Sequence, residues 1–152
     1  MPDAAPGHAG TTVLAFDFGA KRIGAAVGDG ALGIAHPLTT ITAASKVRRY
    51  AAIGALIAEW RPSLLVVGLP AHLDGTEHEI SRLARKFARD LGTRFGLPVK
   101  FVDERLTSAA AGQSLRESGV AARRRRPLVD RVAAQHILQD FFDAAPAAGR
   151  RP

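Results

Sequence analysis

At 152 residues and 16.1 kDa the chain has the common size of one compact domain and leaves no room for a second catalytic one. Its 47% hydrophobic and 23% charged residues are typical of a soluble globular protein, and the lack of cysteine excludes disulfides, thiolate zinc sites and cysteine nucleophiles. Twenty-one Lys and Arg against fourteen Asp and Glu give a net charge of +7 and a pI near 11.0, which favours a polyanionic partner, although simple solubility accounts for the same count.

Residues 1–11 contain Asp3 and no Lys or Arg ahead of an apolar stretch, so no secretory signal is expected and a cytoplasmic location is. No apolar run reaches the roughly 20 residues of a membrane-spanning helix, so no membrane partner is expected. Residues 1–11 and 144–152, rich in Ala, Pro, Gly and Arg, are predicted to be disordered tails flanking one domain at 12–143.

In chain order, residues 12–18 read as a buried strand and 22–28 as a second, with 19–21 as the tight connection between them. Residues 33–40 form a weaker third strand, placed at an edge by Pro37. Ser45 opens a helix with Val47, Tyr50, Ile53, Gly54, Ile57 and Trp60 at helical spacing, and Arg61-Pro62 ends it. The continuous apolar run 64–69 predicts a central strand covered on both faces.

Asp74-Gly75 is a turn, and Thr76 with Glu79 makes a capping-box pattern. It precedes the clearest amphipathic helix, carrying Ile80, Leu83, Ala84, Phe87, Ala88, Leu91 and Phe95. A short strand at 98–102 delivers Asp103-Glu104-Arg105, Thr107 and Ser108 can cap a helix closed by Gly119, and 128–143 is the last helix. The order β-β-β-α-β-α-β-α-α implies an α/β fold of RNase H-like type. A three-stranded antiparallel meander is extended by parallel strands into a mixed five-stranded sheet with helices on both faces. A doubly wound nucleotide-binding fold would pass from its first strand directly into a helix.

Three acid positions stand out, because phosphodiester hydrolysis by paired divalent ions roughly 4 Å apart needs converging carboxylates. Asp17 interrupts an apolar strand, where an unpaired buried charge is expensive; the structural alternative is a strand-end acid bonded to the following turn. Asp103 and Glu104 end another strand, and because neighbours in a strand point to opposite faces only one of them can approach Asp17. A salt bridge to Arg105 is the competing use.

Asp130 shares a helix stripe with Ala134, Ile137 and Phe141, and the small Ala133 and Ala134 would let that helix approach the sheet. Taken alone, Asp130 also suits the positive end of the helix. Arg123, Arg124, Arg125 and Arg126 form a cationic loop before it, either phosphate-contacting or merely solvated. The five histidines lack zinc-protease spacing, and Thr107 and Ser108 lack a hydrolase elbow, so neither chemistry is expected.

The segment from Leu14 to Asp29 (LAFDFGAKRIGAAVGD), Val67-Gly-Leu-Pro70 with Asp74-Gly-Thr-Glu77, Pro98-Val99 with Asp103-Glu-Arg-Leu-Thr-Ser108, and Val129-Asp-Arg-Val-Ala-Ala134 with Ile137-Leu-Gln139 resemble, in order, the motifs of the YqgF/RuvX family. The resemblance covers about residues 12–143; Gly28 departs from it, standing where serine is frequent.

It implies an RNase H-like, divalent-metal-dependent nuclease that matures the 5′ end of pre-16S rRNA or resolves branched DNA, in the latter case as a homodimer. Carried over by position, Asp17, Glu104 (or Asp103) and Asp130 are the catalytic acids, and Asp17, Glu104 and Asp130 hold Mg²⁺ or Mn²⁺. Lys21, Arg22, Arg105 and Arg123 to Arg126 meet the nucleic acid. Gly68 stands where other RNase H-like enzymes place an acid, leaving the number of ions open. Two other classes compete: an ATPase using the first hairpin, for which the chain lacks an adenosine-binding lobe, and a non-catalytic RNA-binding ribosome-assembly factor that keeps the fold.

Overall fold

The structure, a computed structural model, describes residues 11–19, 21–42, 45–69, 79–103 and 122–144, with side chains of the last segment described from Val129. The expected tails, the Asp74-Gly75 turn, the Thr76 half of the capping box and the helix between Thr107 and Gly119 lie outside the described residues.

Five strands, β1 (Thr12–Phe18), β2 (Arg22–Asp29), β3 (Ile34–Thr42), β4 (Leu64–Leu69) and β5 (Val99–Asp103), form one sheet in the order β3-β2-β1-β4-β5. The β1-β2 and β2-β3 pairs are antiparallel, and β1-β4 and β4-β5 are parallel. The apolar runs of the internal strands β1 and β4 are therefore covered by a strand on each side and by helices above and below, which is why their sequences do not alternate.

Helices α1 (Lys46–Trp60) and α2 (Glu79–Phe95) lie on one face and α3 (Ala122–Ala144) on the other. Side-chain parity separates the two cores. Leu14, Phe16 and Phe18 of β1 with Leu65 and Val67 of β4 meet α1 and α2; Val13 and Ala15 with Val66 meet α3. Phe87 of α2 ties the first core together, with ring centroids 4.9 Å from Phe18, 6.1 Å from Phe16 and 6.2 Å from Tyr50.

Pro37 lies on an edge strand, as its missing N–H demands. The register of β2 against β3 shifts by one residue between Ala25 and Ala26, where Thr39 and Pro37 are their partners. That extra residue reverses parity along β3, so Ala35 and Thr40 both point to the α3 face although one number is odd and the other even. α3 also covers this edge. The Gln139 amide donates to the Gly33 carbonyl at 2.8 Å and accepts from the Ala35 N–H at 3.0 Å, and Gln135 donates to the Ala35 carbonyl at 3.1 Å.

Ser45 caps α1, its hydroxyl accepting from the Arg48 N–H at 3.2 Å, and Arg61 ends it in the left-handed region at φ 48°. Three residues of the apolar stripes are solvent-facing instead: Val47 is 81% exposed, and Trp60 and Leu83 are each 36%. At about 100° per residue, Val47 stands roughly 80° away from the direction of Ile57 on the Tyr50-Ile53-Ile57 side of α1, so the spacing that matched a helix did not place it on the packing face. In α2, Ser81 is buried.

Candidate active site

One row of residues crosses the sheet on the α3 face: Thr40, Gly24, Asp17, Gly68 and Val102 are successive partners on β3, β2, β1, β4 and β5. Asp17 is the second-last residue of β1 and half-buried. Its parity is that of Val13 and Ala15, which pack against α3. Its partners on both flanking strands are glycines, so no side chain crowds the carboxylate from either side within the sheet.

Asp130 comes to the same place from the opposite layer. A β-carbon built on Gly24 would lie 1.9 Å from the Asp130 carbonyl oxygen and 2.9 Å from the Arg131 nitrogen. The backbone of α3 thus rests directly on β2 at the residue paired with Asp17. Along this face β2 offers only Gly24, Ala26 and Gly28 after Arg22, a trough into which Ala134 and Ile137 settle. Gly28 is equally tight: a β-carbon there would lie 2.7 Å from both the Ile34 carbonyl oxygen and the Phe142 ring, which suits glycine at a position where serine is frequent.

The helix runs longer than its apolar pattern predicts, starting at Ala122. Arg123 to Arg126 are therefore inside α3 rather than in a loop, in keeping with the good helix propensity of arginine, and their side chains lie outside the described residues. Asp130 is consequently more than two turns from the helix start. The helix dipole, felt mainly in the first turn, is not what holds its charge. Arg22 does so: its Nε donates to Asp130 Oδ2 at 2.5 Å. Arg22, expected from the sequence to meet the nucleic acid, is in this structure also the partner of an acid. Arg131, next on the helix, donates to the Thr40 hydroxyl at 3.4 Å.

The second carboxylate divides as strand alternation requires. Val102 packs in the α3-side core, whereas Asp103 is exposed and pairs with Leu69, whose parity is that of the α1/α2 core. Asp103 thus points to the face opposite Asp17. Glu104 and Arg105 lie outside the described residues. Lys21 is exposed on the β1-β2 connection, beside Arg22. His136 is half-buried on α3. Among the described residues no group of three acidic or imidazole side chains is assembled.

Gly24 is the residue that sequence reasoning passed over. Its signal was the two-residue period of small side chains at Gly24, Ala26 and Gly28, which marks a strand face built for close approach.

A mixed sheet in this order, with helices on both faces, an acid near the end of the central first strand and another on the C-terminal helix above it, defines an RNase H-like fold. Thermus thermophilus RuvC shares it. The structure in complex with Holliday junction substrate matches with a TM-score of 0.56 at 19% identity over 88% of this chain and 94% of that one. A further RuvC structure from that organism matches at 0.52 and 20%, covering 88% and 95%.

The chain belongs to the RuvX family, described as Holliday junction resolvase, whose pattern matches residues 11–144. Similar curated proteins carry the name "Putative pre-16S rRNA nuclease". That of Methylobacillus flagellatus is 57% identical over 143 residues, 94% of this chain and 97% of the relative. That of Dechloromonas aromatica is 60% identical over 133 residues, 88% and 91%.

Proposed function

We propose that this chain is a divalent-metal-dependent endonuclease that hydrolyses phosphodiester bonds at the 5′ end of pre-16S rRNA in the cytoplasm. The reading rests on one observation: Asp17 and Asp130, 113 positions apart by their numbers (130 minus 17), are carried to the same face at the same row of the sheet by the contact of Gly24 with the α3 backbone. Family membership and the names of the relatives support it.

The donor set suits a hard divalent ion. The carboxylates supply oxygen only, come from two elements, and have glycines rather than side chains flanking Asp17. Glu104 is our third ligand, since Asp103 is turned to the other face. Mg²⁺ or Mn²⁺ held by Asp17, Glu104 and Asp130 would supply an activated water and a stabilised leaving 3′ oxygen.

The chain's own residues supply the remainder. Asp17, fixed by two ladders of β1, orients its carboxylate without a loop's freedom. The packed α3 layer shields one side of the site from water, which strengthens charge interactions there. Lys21, exposed on the β1-β2 connection, is our candidate for contact with a neighbouring phosphate.

The test is cleavage of a precursor rRNA fragment and a four-way DNA junction in parallel, with Mg²⁺ or Mn²⁺, by the parent and by Asp17→Asn. Cleavage of the RNA by the parent alone is expected. Cleavage of the junction alone would transfer the activity to DNA resolution. An Asp17→Asn protein that folds and cuts as the parent does removes the site, and RNA binding without metal-dependent cutting by the parent favours the non-catalytic assembly role.

A further inference from the structure

Arg22 and Asp130 meet at 2.5 Å although they are 108 residues apart, and both side chains are largely withdrawn from solvent, at 30% and 18% exposure. Each end of the pair is anchored. Arg22 is the first residue of β2, held in register with Thr42, and Asp130 is seated by its own backbone on Gly24 two residues further along that strand. The pair therefore forms with little of the side-chain freedom that weakens exposed ion pairs. It also occupies Oδ2 of a carboxylate that our nuclease reading assigns to a metal ion.

A guanidinium and a divalent cation repel each other, and one carboxylate in a partly dry seat cannot satisfy both at close range without loss. We propose that Arg22 is a place-holder for the divalent ion: it neutralises Asp130 until the ion arrives, is displaced as the ion binds, and is then the free cation at the rim of the site for a phosphate oxygen. Metal entry and the presentation of a phosphate-binding group become one event. The inference rests on the nuclease reading for the identity of the ion, and on the Arg22–Asp130 pair for everything else.

The experiment uses the full chain. The Arg22 Nε–H resonance is followed by NMR during titration with Mg²⁺. Binding of Mn²⁺ is measured by calorimetry for the parent, Arg22→Gln, Arg22→Lys and Asp17→Asn. Removing this competitor should tighten Mn²⁺ binding in Arg22→Gln by about fivefold to tenfold, with Arg22→Lys between the two. In the parent, the Nε–H resonance should shift saturably as Mg²⁺ is added.

Asp17-dependent metal binding that leaves the resonance unmoved, or that is unchanged or weaker in Arg22→Gln, overturns the proposal and makes Arg22 a structural pin for α3. Absence of any Asp17-dependent binding overturns the metal site and this proposal together, so the two failures are distinguishable. Should Arg22→Gln fail to fold, the titration of the parent decides alone.

Discussion

The carbonyl oxygen of Asp130 occupies the space that a side chain on Gly24 would need, at 1.9 Å from the position of a β-carbon. This contact sets the height of α3 above the sheet, and hence the distance of one acid from the other. A Gly24→Ala protein must lift the helix, because the opposing atoms are backbone and cannot rotate away. We expect a loss of about 2–3 kcal/mol in urea unfolding, and loss of cleavage under conditions where the fold persists. Gly54→Ala is the contrast. Its β-carbon would sit 3.4 Å from the Phe95 ring, an ordinary contact, and alanine gains up to about 1 kcal/mol of helix propensity, so that variant should be neutral or stabilised.

Strand parity makes a sharp forecast for the neighbouring acids at the end of β5. Asp103 is on the α1/α2 side of the sheet, away from Asp17, by its pairing with Leu69. Asp103→Asn should cleave within about threefold of the parent, whereas Glu104→Gln should fall by on the order of 100-fold or more, the loss expected for a metal ligand. Initial rates on one RNA substrate suffice, and the reverse ranking would dismantle the ligand set.

Gln139 supplies two of the three hydrogen bonds that α3 makes to Gly33 and Ala35 at the β3 edge, Gln135 the third. Leucine at this position keeps the bulk and strands both backbone groups. A loss of about 1–2 kcal/mol is expected, accompanied by faster hydrogen exchange at the Ala35 amide. Exchange at Ala35 that stays at the parent rate would show that another group covers the edge.

Tyr50 links stability to alkaline pH. Burial, and then the charge and hydrogen bond of Asp90, which accepts from the hydroxyl at 3.3 Å, raise its pKa above the ordinary 10.0. The sign follows directly: above pH 10.0 the unfolded chain releases the phenolic proton before the folded one does, so this contribution is complete below pH 10.0 and is lost as pH climbs toward the folded pKa. Tyr50→Phe should cost about 1 kcal/mol near neutrality through the lost hydrogen bond and show a flatter stability profile above pH 10.0. Urea midpoints at pH 8 and about pH 10.5, referred to the ordinary tyrosine pKa, compare the two proteins.

By itself the sequence determined the architecture, because each element carries its own local signal. Unbroken apolar runs at 64–69 and in β1 require cover on both faces, Pro37 requires an edge, Ser45 caps a helix, and the stripe through Phe87 and Leu91 requires a helix with one dry side. These are short-range facts about hydrogen bonding and periodicity. It also marked Asp17 and Asp130 as acids where apolar residues are the rule.

What only the tertiary structure decided are the relations between residues far apart. The fit of α3 into the Gly24-Ala26-Gly28 trough, the ion pair from Arg22 to Asp130, and the parity reversal in β3 depend on register and interlayer distance, which no local pattern encodes. A side chain's charge can be read along the chain. Which opposite charge it will neutralise is settled when packing removes water and brings the two together.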